Sequence, residues 1–486
     1  MITPDAPDRT YSTRLRTALL LTGTGTSGAY HAGVLRALHE AGIKVDLVAG
    51  RGVGAASALF AAIDGGARLW ETSGIWKNPA SRGLYGWRPP LRFAGFAAAV
   101  AGILLLIPIA LLALAVVAGL AGLLATLIGI ERAGTAMTNT YTRWIDTLFH
   151  PSVLPTVIPR LVLFALIVAL AILAADAVVS FMRQRTRRRS RIGSFARLFG
   201  APLSADMLVE RCAAELWSLI RGAAPLAAPG RLELARKYVE LLSENLGQPG
   251  FRELLLTVHD MDARRDVVFA LLGPSYRSRF FSRALPEPGT RQLEAFDLAG
   301  VPRDHLFDAL AAALAVPIAT EPQLVRFSAE GPWRGETHRL CDRPDALGRL
   351  LEEAGNAGAE QIILVGPSPR SANAHELSAG RSDVRGRAGE QLAAFEAASL
   401  RDALEQFSGR FASLFVIRPS HHPLTPLDFA GLYDERSDRV QTLSELVDRG
   451  YEDAYRQFIE PIVGAGTEPA ETVHRPNGGQ PERVRL

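Results

Sequence analysis

Cysteine is nearly absent: Cys212 and Cys341 are the only two in 486 residues. They stand in no metal-ligand spacing and cannot form a disulfide framework, so no metal site is expected and a reducing compartment is the simpler reading. Charge of one sign is also lacking. The formal net charge is +3, too small for the whole chain to bind a polyanion, so no nucleic-acid partner is expected. The opening stretch MITPDAPDRTYSTRLRT has no apolar core, and no signal peptide is read from it. The length suits roughly two or three domains.

Between Phe93 and Ile130 there is no charged residue. As one helix this run is about 57 Å long at 1.5 Å per residue, whereas a bilayer core needs only about 20 residues. It reads as one long helix kinked at Pro108, or as a hairpin. A second apolar run, Leu161 to Met182, holds one charge, Asp176. The sequence on both sides reads as soluble α/β, and an even number of crossings returns the chain to the same side. One crossing from each run is therefore expected, with a short outer loop over about 131–160 anchored by Tyr141 and Trp144. RQRTRRRSR (183–191) follows the second run, and Lys77, Arg82, Arg88 and Arg92 precede the first. By the positive-inside rule both soluble halves are cytoplasmic. The arginine run serves topology, with anionic headgroups as a further use. Asp176 lies within about two turns of those arginines and is expected to snorkel toward the interface. The expected divisions are 1–92 and 192–463 for the soluble domain, 93–191 for the membrane pair and its basic flank, and 464–486 for a disordered tail.

The soluble halves alternate strand and helix. ALLLTG (18–23) is a strand, AYHAGVLRALHEAG (29–42) an amphipathic helix stopped by Gly42, and KVDLVAG a second strand, which together signal a largely parallel, helix-covered sheet. Residues 205–260 read as several helices. Helices are expected at 305–317 and 346–358, strands at 324–329, 336–342, 360–366 and 411–419, and a mobile loop at 367–387. The stretch 440–462 is a closing helix with a break near Gly450. His421-His422 reads as a solvated loop pair rather than a metal ligand, and His31 and His39 as packed or half-exposed helix residues.

Two glycine motifs carry the chemistry. Gly23-Thr24-Gly25-Thr26-Ser27-Gly28 fits G-x-G-x-x-G between a strand and a helix. Such a loop aims amide N–H groups at an anion, either a pyrophosphate or the oxyanion of a tetrahedral intermediate. Gly50-Arg51-Gly52-Val53-Gly54 follows the second strand and precedes the helical run 55–63. That is the setting of a nucleophile elbow, G-x-S-x-G, with glycine where the serine hydroxyl belongs. Glycine has no atom that can form an acyl-enzyme, yet it tolerates the strained elbow backbone.

Gly23 to Ala58 resembles the patatin-like phospholipases, and HLFDALAAALAVPIATEPQLVRF with THRLCDRPDALGRLLEEAGNAGAEQIILVG resembles that family's approach to its catalytic aspartate. The resemblance implies a patatin-like α/β fold with the two-helix transmembrane segment inserted. It places Asp342 at the acid of the serine–aspartate dyad and Gly52 at the serine. The departures are Gly52 for serine, Ser27 for a loop arginine, and Asp342-Arg343-Pro344 for an aspartate–glycine–glycine triplet. Gly23, Gly25, Gly28, Gly50 and Gly54 remain.

The leading expectation is a membrane-anchored, lipid- or acyl-chain-related patatin-like protein with a degenerate site and no cofactor. Its expected partners are membrane lipids, with a protein partner as a further candidate. The first alternative is an active lipid acyl hydrolase using another hydroxyl (Ser57, Thr24, Thr26 or Ser27) or a water activated by Asp342. The second is an NADP-binding reductase, with Arg51 on the 2′-phosphate.

Overall fold

The structure is a computed structural model that describes residues 11–184, 201–283, 289–369, 384–407, 409–420, 424–429 and 442–463. The chain forms two compact units, residues 87–204 and the remainder on either side of them.

The larger unit is built on a nine-stranded sheet. In chain order its main strands are β1 (Thr17–Leu21), β2 (Leu47–Arg51), β3 (Glu253–Asp260), β4 (Arg265–Leu271) and β5 (Ala295–Asp297). They are followed by β6 (Gln323–Arg326), β7 (Thr337–Cys341), β8 (Gln361–Val365) and β9 (Ser413–Ile417). The spatial order is β9-β8-β1-β2-β3-β4-β5, with the β6–β7 hairpin joined to β3 through β7. The five strands from β9 to β3 are parallel, and β4 turns antiparallel on β3. Strands buried on both faces need unbroken apolar runs. TALLL and QIILV supply them, and every residue of both is buried.

Successive side chains alternate between faces. Ala18, Leu20, Leu47 and Ala49 pack with Leu350 and Leu351 of α11 (Leu347–Asn356) and with Leu400 and Phe407 of α12 (Val384–Phe407). The other face carries α1 (Ser27–Glu40), α2 (Val53–Ala62) and α10 (Leu306–Leu314). The largely parallel, helix-covered sheet is thus as expected.

Three local expectations change. Residues 205–260 hold the helices α7 (Asp206–Arg221) and α8 (Arg231–Asn245), but ELLLTVHD is the strand β3, paired with both β2 and β4. A short apolar run is ambiguous by periodicity, and sheet pairing decides it. The closing helix α13 (Leu443–Ala454) does not break at Gly450 and continues as a π-helical stretch to Val463. Glycine is needed there for packing: a Cβ on Gly450 would lie 2.2 Å from the Tyr30 carbonyl of α1. Helix α12 begins at Val384, inside the stretch expected to be loop. Most of that loop (370–383), arginine-run residues 185–191, His421-His422 and the tail from Gly464 lie outside the described residues.

The smaller unit contains α4 (Pro89–Leu127), α5 (Glu131–Leu148) and α6 (Leu154–Gln184). Helix α4 runs uninterrupted through Pro108, so the apolar run is one helix and not a hairpin. Two segments, Pro89–Leu127 and Leu154–Val179, are long and apolar enough to cross a membrane. Only 6% and 17% of their most apolar windows are buried, unlike the core helices of a soluble protein. The expected outer loop is instead largely helical. Helix α5 packs on α4 where Gly122 and Gly134 let the backbones meet, since a Cβ on Gly134 would be 2.6 Å from the Gly122 carbonyl. The Tyr141 hydroxyl donates to the Leu111 carbonyl.

Asp176 accepts from the Arg88 guanidinium at 3.0 Å, and both side chains are mostly buried (16% and 19% exposed). An unpaired acid in an apolar helix costs about 2.5–3.5 kcal/mol, and a nearby cation relieves much of that. Arg88→Asp should therefore lower the melting temperature of the detergent-solubilised protein. Arg88→Asp with Asp176→Arg should restore most of the loss, with a coupling of about 0.5–3 kcal/mol in a double-mutant cycle.

Candidate functional site

The glycine loop and the elbow meet because β1 and β2 are parallel neighbours, with Leu21 opposite Gly50 at their carboxyl ends. The chain leaves β1 on one side for β2, while β8 flanks β1 on the other, and such a crevice is where open α/β sheets place their sites. Asp342 follows β7 directly and is buried, with 1% exposure. The sheet thus brings together two positions 290 residues apart in sequence: a Cβ built on Gly52 would stand 3.1 Å from Asp342 Oδ2.

Gly52 sits at φ 58°, ψ −136°, a region sparsely populated by residues with a side chain and suited to a strained strand-to-helix turn. Its flanking glycines are set by close packing. A Cβ on Gly50 would meet the Gly54 carbonyl at 2.5 Å, and one on Gly54 would meet the Leu21 carbonyl at 1.9 Å. The turn of an elbow is therefore present in backbone form.

Several of the donors around it are engaged within the chain. The amide after a nucleophile is one arm of an oxyanion hole, and here the Val53 N–H donates to the Gly23 carbonyl at 2.9 Å. That same carbonyl oxygen lies 2.3 Å from where a residue-52 Cβ would be. In the loop, the Thr26 N–H donates to the Pro426 carbonyl, Ser27 to Thr24 and Gly28 to Gly25. The Thr26 hydroxyl donates to the Thr425 carbonyl. The Ser27 hydroxyl is buried with no hydrogen-bond partner among the described residues.

Arg51 fills the space beside the elbow. Its side chain is 2% exposed. Nη1 donates to both Asp342 oxygens at 3.2 and 3.1 Å, and Nη2 donates to Glu396 Oε1 at 2.8 Å. The Thr24 hydroxyl donates to the same Glu396 oxygen at 2.7 Å. Arg51 therefore faces two carboxylates. Burial pushes the Asp342 carboxyl up to about 6; Arg51 opposes that shift and Glu396 adds to it. Burial also raises Glu396, against the pull of Arg51 and Thr24.

Glu396 was not singled out by the sequence. Its signal is positional: Leu392, Glu396, Leu400, Ala403 and Phe407 of α12 repeat at helical spacing and all are buried, so an acid stands on an apolar stripe. The Ser57 hydroxyl lies 3.4 Å from His31 Nδ1. His31 Nε2 donates to the Thr22 carbonyl, which leaves Nδ1 as the acceptor. Burial holds this imidazole down at about 4, so it is neutral. Both residues are fully enclosed, at 0% and 1% exposure. Among the described residues no group of three His, Cys, Asp or Glu side chains is placed to hold a metal ion, and both cysteines are buried and free.

The sequence profile of the patatin-like phospholipases matches residues 19–342, from β1 to Asp342. This chain belongs to the patatin-like phospholipase family. Among solved structures it is similar to VipD from Legionella pneumophila, with TM-score 0.30 and 12% identity, covering 92% of this chain and 67% of that one. It is also similar to the type III effector protein ExoU, with TM-score 0.30 and 14% identity, covering 91% of this chain and 53% of that one. The chain thus spans about half the length of ExoU. No curated protein matches it.

The buried cluster makes stability depend on pH. The folded Asp342 carboxyl, near 6, holds a proton that an unfolded one near 3.8 has released, so this group's contribution falls as pH rises from about 4 to about 6. A shift of that size corresponds to roughly 3 kcal/mol. Asp342→Asn should shrink the loss of thermal stability between pH 4.5 and 7.5. Arg51→Met should do the reverse, costing about 3–5 kcal/mol at pH 7.5 by stranding two buried carboxylates and less at pH 4.5. Thermal unfolding of the three proteins at both pH values is the check.

Proposed function

We propose that this protein is a membrane-anchored member of the family that has little or no serine hydrolase activity and acts through lipid or acyl-chain binding, with membrane lipids and possibly a protein as partners. One observation carries the reading: at the nucleophile position stands Gly52, and the Gly23 carbonyl both accepts the Val53 N–H and occupies the space a side chain there would need. In this reading Gly23, Thr24, Gly25, Thr26, Ser27 and Gly28 are the remnant of an anion-binding loop. Gly50, Arg51, Val53 and Gly54 are the remnant of the elbow, and Asp342 is an acid retained in the dyad position. The patatin-like portions are 1–92 and 192–463, the membrane insertion is 93–191, and the soluble portions face the cytoplasm, as the arginines flanking the apolar runs suggest. No cofactor is required. The family match and the internal pairing of Arg51 weigh against a nucleotide-binding reductase. Direct activation of water by Asp342 is disfavoured because both its oxygens accept from Arg51.

The test is fluorophosphonate labelling together with lipid-ester hydrolysis, on wild type and Gly52→Ser purified in detergent. Wild type is expected to show neither. Gly52→Ser is expected to stay unlabelled and to lose about 1–3 kcal/mol of stability from its positive φ alone. Labelling or turnover by wild type would sink the proposal. Labelling of the serine variant alone would mean that only the nucleophile is missing and that the Gly23 carbonyl can yield.

A further inference from the structure

The smaller unit is longer than a membrane is thick. Helix α4 has 39 residues, about 58 Å at 1.5 Å per residue, against a hydrocarbon core of about 30 Å. Its two partners divide it. Asp176 of α6 meets Arg88 just before α4, and α6 runs back along α4 from Leu154, which stands at about the level of Ala110. Helix α5 takes the distal half, with Gly134 against Gly122 and Thr126, and Tyr141 bonded to Leu111. The stretch from Arg88 to Pro108 is thus about one hydrocarbon core long, and both arms of the hairpin are weakened at its far end. Pro108 has no N–H to donate to the carbonyl one turn earlier, and the return arm breaks between Leu148 and Leu154. Trp144, one turn past Tyr141, stands at that level with 60% exposure, where membrane proteins place their aromatic belts.

Beyond that level the two helices have unlike backs. Helix α4 faces α5 with Ala118, Gly122 and Ala125. Its opposite side carries Val116, Val117, Leu120, Leu124 and Leu127, each between 57% and 74% exposed. Helix α5 faces α4 with Gly134, Thr138 and Tyr141, and its opposite side carries Arg132, Asn139, Arg143 and Asp146, all exposed. The pair is therefore amphipathic as a unit, apolar on the α4 back and polar on the α5 back. No uniform medium suits it. Upright in hydrocarbon, Arg132, Arg143 and Asp146 would face lipid at up to about 2.5–3.5 kcal/mol each. In water, the large side chains of the α4 back stay wet, each forgoing about 1.5–3 kcal/mol of burial. A membrane–water interface is apolar on one side and wet on the other, and it satisfies both backs. A second copy of the chain is a poorer cover, because membrane helices pack together through small residues. Ala118, Gly122 and Ala125 already face α5, which leaves Val and Leu on the α4 back.

We propose that the distal half of α4, together with α5, lies in the plane of the membrane interface at the far end of the span from Arg88. It is hinged on the spanning part at Pro108 and at residues 149–153. The lipid surface itself covers the apolar back of α4, and the polar back of α5 faces water. Interfacial helices bury their apolar side about 5–10 Å into the boundary between headgroups and acyl chains, which suits a layer one helix thick. The inference rests on the membrane-anchored reading above and adds where the excess length of α4 goes. It involves no covalent step and is independent of the elbow.

The experiment uses the full chain in phosphatidylcholine nanodiscs, with a nitroxide on one introduced cysteine: Ala99→Cys, Leu120→Cys or Asn139→Cys. Cys212 and Cys341 are buried and free, and wild type carried through the same labelling supplies the background. Depth is read from collisions with oxygen, which concentrates in hydrocarbon, and with a nickel chelate confined to water. The label at 99, in the spanning part, is expected deep in the bilayer. The label at 120 is expected about 5–10 Å below the headgroups. The label at 139 is expected in water, with nickel accessibility at least fivefold above that at 120. If Leu120→Cys fails to fold, Leu124→Cys reads the same face. A label at 120 in water would overturn the proposal. So would labels at 120 and 139 both as deep as the one at 99, which would mean an upright hairpin. A label at 120 closed to both reagents, with spin–spin broadening between copies, would overturn it in favour of a second chain as the cover. A label at 99 in water would remove the membrane anchor as well, whereas failure at 120 alone leaves the anchor standing.

Discussion

A single guanidinium, that of Arg51, ties three distant parts of the chain together. It projects from the end of β2, holds the acid that follows β7, and reaches Glu396 on α12 from the opposite helical layer. Its geometry is suited to this, because a planar fork can serve two carboxylates at once and never gives up its charge. Buried ion pairs add little net stability after desolvation, but removing one member leaves an uncompensated charge. The cluster therefore acts less as glue than as a constraint on how β2, β7 and α12 meet. The same constraint engages both oxygens of the acid that follows β7.

The backbone around this cluster has the form of a nucleophile elbow, with glycine at the nucleophile position. Gly52 keeps the positive φ of an elbow, and Gly50 and Gly54 keep the close packing of strand, turn and helix. These contacts are made by main-chain atoms within the core of the sheet, and replacing any of the three glycines would force backbone to shift. Packing at this turn depends on the glycines and not on a side chain at position 52.

The parts of the molecule legible in the sequence are those governed by local pattern. β1, α1, β2 and β8 follow from apolar runs and a helix-stopping glycine, and the glycine motifs place the crevice. Long apolar runs announce α4 and α6. What was hidden depends on tertiary partners. ELLLTVHD becomes a strand because β2 and β4 flank it. Gly450 looks like a helix breaker until Tyr30 is seen against it. Arg51 reads as a phosphate ligand until two acids, 291 and 345 residues away, arrive beside it. Nothing local marks Asp342 as buried. Helix α5 was missed because its small and polar residues look like loop, and its partner is a glycine-bearing face of α4.

The interruption of the sheet by the helical unit has a consequence for how the protein is made. β1 and β2 are synthesised early, yet β2 waits for β3, about 200 residues later, and β1 waits for β8, which begins 344 residues after it. At about 5–20 residues per second the first wait alone lasts roughly 10–40 s. During that time a two-stranded parallel fragment carries open edges on both sides, the arrangement most prone to pairing with the wrong chain. Between the two halves the ribosome emits the most apolar stretch of the sequence. Until that stretch is covered, its apolar surface and the open strand edges are exposed together. Yield of the folded protein thus depends on how both are shielded during synthesis as much as on the stability of the finished sheet.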